Sequence, residues 1–423
     1  MKTSKEYEIN TAPWTPPLDA PLNAPLNAQT LLLARGQRFL YFKQKLIRLC
    51  YYKECFMPEP LKNNYNSESL QDLALRIKAV YPLFAVDNFM ADIMDKTWDA
   101  LELKARMRQI TLCLGKHLPS EYEQALGILD AVSAGYPTAM SNFVLLCFPD
   151  FVEVYGQKAC HWDLSMAALA RYTQYATSEF AVRPFIQAHE ERMMAQMAAW
   201  AGHDNEHIRR LASEGCRPAL PWGRALAGFK KDPLPVLAVL ERLKADPSLY
   251  VRKSVANNLN DISKTHPDLV IQTAKNWYGN NAHTDWIVKH ACRTLLKKGN
   301  RDVLEIFGFT GADCVHVADF ALDCTSVAIG KDMRFSFALE AKKAAKLRLE
   351  YGIDYMKANG RQSRKIFQIS EIFLQKNGKK AYAKSHSFAK TSTRKLYPGA
   401  HTVTLLINGA EQGRLDFELV AAR

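Results

Sequence analysis

The chain has 423 residues, 48% of them apolar, with 56 Lys+Arg against 43 Asp+Glu and a formal net charge of +13. Two or three domains with sizeable cores fit that length and apolar content. The basic excess suits a polyanionic partner, although many unrelated cytosolic proteins share it.

Residues 1–56 read as a separate extension. "APWTPPLDAPLNAPLNAQT" repeats a Pro-Leu-(Asp/Asn)-Ala unit that cannot build a core. The start "MKTSKEYEINTAPW" lacks the apolar run of a signal peptide. "TLLLARGQRFLYFKQKLIRLCYY" is too interrupted by Arg35, Arg38, Lys43, Lys45 and Arg48 to span a membrane. Met57 is a natural beginning of the folded part.

From about 66 to 308 the apolar spacing is helical, with loop signals such as "GYP", "FPD", "KDP" and "ADP" recurring along it. "IRRLA" at 208, "VRKSVA" at 251 and "IVKHAC" at 287 repeat an aliphatic residue, bases and small apolar residues. A spacing of about 40 residues is that of HEAT-like helical pairs. A HEAT-like α-solenoid over 57–308 is therefore expected.

Within it, "NEHIRRLASEGCRPALPWG" places Ile208, Leu211, Ala212 and Gly215 on one helical face. Arg210, Glu214 and Arg217 fall on the opposite face. They read either as a solvated salt-bridge face, contributing about 0.3–0.5 kcal/mol per pair, or as part of a binding surface. In "YVRKSVANNLNDISK", Lys253, Asn257, Asn260 and Asp261 lie opposite the apolar stripe; in "TDWIVKHACRTLLKKGN", Lys289 and Arg293 are one turn apart. Arg209, Arg210, Arg217, Arg252, Lys253, Asn257, Lys289 and Arg293 are thus candidate contacts to the phosphates of a nucleic acid, whose neutralisation dominates affinity. Carboxylates among them would repel phosphate, which asks for another role.

After about 311 the texture becomes β-rich. "DMRFSFALE", "AKLRLEYGI", "RKIFQISEIFL", "HTVTLLING" and "GRLDFELVA" are separated by turn residues in "KNGKK" and "NGAEQG". About seven short strands predict an all-β immunoglobulin-like sandwich over 309–423. Residues 311–423 carry 19 Lys+Arg and 11 Asp+Glu, a net of +8. A sandwich that basic is expected to clamp a polyanion, with Lys357, Arg361 and Arg364 of "GIDYMKANGRQSRK" as further backbone contacts.

Nine cysteines are scattered without a C-x-x-C pair, and the eleven histidines have no ligand spacing. Reduced, mostly buried thiols are expected, with no metal and no cofactor. Trp98, Trp162 and Trp200 read as core. Glu153 of "DFVEVYG" reads as an acid of a binding cleft or, equally, as a charge near a helix N-terminus.

Several long segments, in order, resemble the AlkC family of DNA alkylation repair glycosylases. They are "FPDFVEVYG", "YATSEFAVRPFI", "NEHIRRLASEGCRPALPWG", "YVRKSVANNLNDISK", "TDWIVKHACRTLLKKG", "LRLEYGIDYMKANGRQSRKIF" and "YPGAHTVTLLINGA". The resemblance spans about residues 57–423. It implies a monofunctional glycosylase that removes 3-methyladenine and 3-methylcytosine from duplex DNA without flipping the lesion into a pocket. It also implies active-site carboxylates Glu179, Glu214 and Asp261, and lesion or sugar contacts by Phe180 and Trp222. A monomeric cytosolic enzyme acting on double-stranded alkylated DNA, away from membranes, follows as an expectation. The alternative from the residues alone is a non-catalytic helical-repeat scaffold that binds nucleic acid or an acidic protein. For Trp222 the competing reading is plain loop packing. For Glu179 it is a favourable charge at a helix start, and for Asp261 a helix C-terminus with local hydrogen bonds.

Overall fold

The computed structural model describes residues 59–138, 142–309, 311–389 and 395–421. The expected extension 1–56 lies outside them. Sixteen α-helices precede eight β-strands among the described residues. The helices are α1 (Ser67–Val80), α2 (Val86–Ile93), α3 (Leu103–His117), α4 (Tyr122–Ala134), α5 (Cys147–Tyr155), α6 (Trp162–Tyr172), α7 (Val182–Ala188) and α8 (Glu190–Trp200). They continue as α9 (Glu206–Gly215), α10 (Ala227–Lys231), α11 (Leu234–Arg242), α12 (Leu249–Ile262), α13 (Pro267–Trp277), α14 (Ala282–Ala291), α15 (Arg293–Lys297) and α16 (Arg301–Ile306).

Local chemistry sets the helix boundaries. Asn66 and Ser69 close a reciprocal capping box at the start of α1. The Asn205 side chain accepts from the His207 N–H at 2.8 Å and starts α9. Pro267 occupies the first turn of α13, where its missing N–H costs nothing. The three repeated motifs fall on α9, α12 and α14, and these helices pack side by side in that order. Toward the N-terminus, α3 packs on α5 and α5 on α7. At the close of α9, a Cβ on Gly215 would lie 2.6 Å from Val182 Cγ2, so a glycine lets α9 approach α7. Trp98, Trp162 and Trp200 are buried in the helical core, as the sequence suggests.

The strands are β1 (Val315–Leu322), β2 (Ser326–Ala328), β3 (Asp332–Ala341), β4 (Ala345–Met356), β5 (Gln362–Leu374), β6 (Lys379–Ser387), β7 (Gly399–Ile407) and β8 (Ala410–Val420). They form two sheets of order β1-β3-β6 and β2-β8-β7-β4-β5. The count is eight rather than about seven, and β4 and β5 reach 12 and 13 residues, so they are longer than expected. Inward residues of both sheets make a core of their own, including Phe335, Phe337, Leu347, Leu349, Val403 and Phe417. Asn408 and Gly409 both have positive φ, 47° and 76°, as a two-residue hairpin between β7 and β8 requires.

That hairpin also abuts the helices. A Cβ on Gly409 would lie 2.5 Å from Gly299 Cα, so the two segments meet backbone to backbone. Lys346 Nζ donates to Phe307 O at 2.8 Å beside this seam and lies over the Phe309 ring.

Candidate active site

Alternating charges run across three consecutive segments of the helical row. Glu179 lies on the turn before α7, Glu214 and Arg210 on α9, Arg217 just after it, and Asp261 near the end of α12. Arg210 Nη1 is 2.6 Å from Glu179 Oε2, and Arg210 Nη2 is 3.5 Å from Glu214 Oε1. Arg217 Nη1 lies 2.6 Å from Glu214 Oε1, and Arg217 Nε donates to Asp261 Oδ2 at 2.8 Å. Lys264 closes the row at 2.8 Å from Asp261 Oδ1. The second oxygen of Glu214 accepts from Ser254 Oγ at 2.6 Å, and Ser254 in turn accepts from Ser213. Thr177 Oγ1 donates to Glu179 and receives Arg210. Every carboxylate is therefore held in orientation by at least two donors.

This arrangement corrects the expected roles of two arginines. Arg210 and Arg217 are not on an open face that meets phosphate. Neighbouring repeats cover that side of α9: Tyr250 of α12 lies over the Arg210 guanidinium, and Arg217 is 8% exposed between Glu214 and Asp261. For both arginines burial opposes the charge, but the flanking carboxylates outweigh it and raise the pKa above the usual arginine value. A solvated salt-bridge face is excluded for the same reason, since Glu214 is 5% exposed. Asp261 likewise makes a bond between helices, not only local ones. Of the three acids, Glu179 has the most open side chain, 13% exposed against 7% for Glu214 and 4% for Asp261.

Beside this row stands an exposed indole. Trp222 is 67% exposed, which rules out plain packing. It follows Pro221 in a turn closed by Gly223 N–H donating to Leu220 O at 3.1 Å, and its φ is 59°. Proline in second place and a positive φ in third are the signature of a type II turn, where glycine or asparagine is usual. A bulky residue there costs of order 1–3 kcal/mol, a strain that persists where the surroundings over-determine it. Arg183 is one such support. Fully buried, it donates to Gly215 O at 2.9 Å and to Arg224 O, so it ties the end of α9 to the far side of the turn. Burial pushes its pKa down to about 10, against the pull of nearby Cys216, Glu179 and Glu214. Cys216 in the same segment is fully buried, with its thiol pushed up to about 12 by burial, so it is no nucleophile.

On the N-terminal side, Lys104 of α3 donates to Trp222 O at 3.0 Å and sits 4.6 Å from the centre of the half-buried Phe180 ring. Arg108 of α3 bridges Asp150 and Glu153 of α5 at 2.8 and 2.7 Å, and Arg224 approaches Glu153 at 3.5 Å. Glu153 lies in the last turn of α5, so the reading as a charge near a helix N-terminus fails. The composition of the sequence gives no sign of Lys104, Arg108, Arg183, Arg224 or Ser254, because their partners lie 32 to 118 residues away.

The remaining expected DNA contacts divide. Arg209 is engaged by Asp246 and by the carbonyls of His203 and Asp204, and Arg252 by those of Asp246 and Pro247. Arg293 donates to Asn257 Oδ1 and His290 O, and Lys289 pairs with Glu371 of β5. Arg364 is a strand residue rather than a loop one, paired with Asp354 across the β4–β5 ladder and with Glu411. These side chains hold loops and strands together, which departs from the expectation of free phosphate ligands. Lys253, Lys357 and Arg361 are exposed.

Known proteins resemble this chain in sequence and fold. Residues 157–295 match the family described as DNA alkylation repair enzyme, and residues 316–421 match the C-terminal Ig-like domain of uncharacterised protein YhaZ. Over 359 residues the chain is 46% identical to uncharacterized protein YhaZ of Bacillus subtilis (strain 168), covering 85% of this chain and 99% of that one. A solved structure of Pseudomonas fluorescens alkylpurine DNA glycosylase AlkC, bound to DNA containing an abasic site analog, superposes with a TM-score of 0.82. It is 37% identical, over 86% of this chain and all of that one.

Proposed function

The chain belongs to the AlkC family of DNA alkylation repair enzymes and is a DNA glycosylase; from that premise we propose that it hydrolyses the N-glycosidic bond of cationic alkylated bases, 3-methyladenine and 3-methylcytosine, in duplex DNA without flipping them. The observation that carries this reading is the row of three oriented carboxylates beside an exposed, strained Trp222.

Breaking this bond passes through an oxocarbenium-like sugar. A methylated base is already cationic and leaves as a neutral molecule with the bonding electrons, so no general acid is required. The work left to the protein is to stabilise positive charge at the sugar and to deliver water. Fixed carboxylates do the first without reorganising as charge develops. One of them accepts the proton of the water whose oxygen joins C1′. Glu179, the most open acid, suits the water, and Glu214 and Asp261 supply the field from behind it. The arginines between them fix where the carboxylates point. Trp222 and Phe180 offer aromatic faces, and such a face towards a cation contributes about 0.5–2 kcal/mol.

The decisive experiment is mass spectrometry of bases released from dimethyl-sulfate-treated duplex DNA. Release of free 3-methyladenine is expected. Its absence with active, folded protein overturns the reading.

A further inference from the structure

Trp222 holds a backbone conformation that its side chain disfavours, on a turn that its own chain closes with one 3.1 Å hydrogen bond. A lesion-contacting indole is useful only if its position is fixed before DNA arrives. Arg183 anchors the segment at Gly215 and Arg224, on either side of the turn, but does not touch it. The contact at Trp222 itself comes from another repeat. Lys104, 118 residues away on α3, donates to the Trp222 carbonyl while its ammonium faces the Phe180 ring.

We propose that Lys104 is a positioning residue of the glycosylase site, one cation that ties Trp222 and Phe180 into a single preformed lesion-facing surface. The inference rests on the functional reading above. An ammonium can satisfy both partners at once, because it has three donors and can meet the negative face of a ring. Its charge environment suits the task. Glu153 and Asp150 of α5 favour the charged form of Lys104, while Arg108 and Arg224, which pair with those acids, oppose it. Burial lowers the Lys104 pKa from its ordinary value, against the effect of Glu153 and Asp150.

The test compares Lys104→Met, which keeps length and removes charge, with Lys104→Arg, each in wild-type and Trp222→Ala backgrounds. Excision of 3-methyladenine is measured in single turnover at saturating protein, alongside affinity for undamaged duplex and melting temperature. Lys104→Met should lower the saturating rate about 10-fold, less than the roughly 10²-fold cost of a 1 Å misplacement. Undamaged-duplex affinity and melting temperature should hold, and Lys104→Arg should recover most of the rate. In the Trp222→Ala background the same substitution should cost clearly less, because only its contact with Phe180 remains to be lost. Equal losses in both backgrounds would overturn the inference. So would a drop in affinity with an unchanged saturating rate, which is the mark of a phosphate ligand. Fluorine NMR of fluorotryptophan-labelled protein reads the latch without catalysis. The Trp222 resonance, identified by its disappearance in Trp222→Phe, should shift or broaden in Lys104→Met, and an unchanged resonance overturns the proposal. If wild-type protein releases no base, the functional reading fails and the resonance alone decides on Lys104.

Discussion

The helical row and the sandwich use charge in opposite ways. In the row formed by Glu179, Arg210, Glu214, Arg217 and Asp261 the charged groups are largely buried, paired and alternate in sign, so they act within one site. At the β4–β5 hairpin, Lys357 and Arg361 are exposed, and the excess is of one sign. Fixed pairs create a local field that does not reorganise, which suits chemistry. Exposed like charges create a long-range, salt-screened attraction, which suits capture of a polyanion. The net charge of +13 thus says little about the site itself.

The sharpest break in that contrast is Glu214→Gln. Removing the charge at the centre of the row should slow excision by roughly 10²–10³-fold, the usual effect of deleting one strong electrostatic stabiliser. It should also cost about 2 kcal/mol of stability, because charge-assisted bonds from Arg217 and Ser254 become weaker. Single-turnover kinetics with a denaturant titration separates the two effects. Near-normal excision by folded protein would remove Glu214 from the mechanism.

Asp261→Asn should slow excision about 10-fold or more by the same electrostatic argument, while the exposed Asp268→Asn leaves it unchanged. Similar losses in both variants would show that the row has no special standing.

Trp222→Asn probes the strained turn. Asparagine tolerates a positive φ, so folding stability should rise by about 1 kcal/mol as strain is relieved, while excision falls several-fold. Thermal unfolding and excision are measured on the same sample. A decrease in stability would mean that the indole packs.

The smallest effect belongs to the sandwich. Replacing Lys357 and Arg361 with glutamine should leave the saturating excision rate unaltered and weaken duplex binding. The slope of log affinity against log salt should become shallower by about 0.9 for each phosphate that is no longer neutralised. An unchanged slope counts against a clamp at this hairpin.

Local patterns carry much of the architecture. Helical periodicity and the motifs at 208, 251 and 287 identify consecutive stacked helices, and two-residue alternation with Asn-Gly turns identifies the sandwich. Those signals are local because hydrogen bonding and the polar–apolar pattern repeat within a few residues. Glu179, Glu214, Asp261, Phe180 and Trp222 are singled out by the family resemblance alone, and the fold sets the three acids in one row. What helical phase does not give is burial. It sets Arg210 and Arg217 on a polar face, and only the stacking of α12 against α9 turns that face into an interior. There, desolvation opposes each arginine's charge, and the flanking carboxylates offset that cost. Lys104 and Arg183 lie further still beyond sequence reasoning, since a cation's partner is chosen by distance in space. The sequence by itself determined which elements form and which acids are present; the packing of repeats decided which charges neutralise one another and which aromatic ring is left facing out.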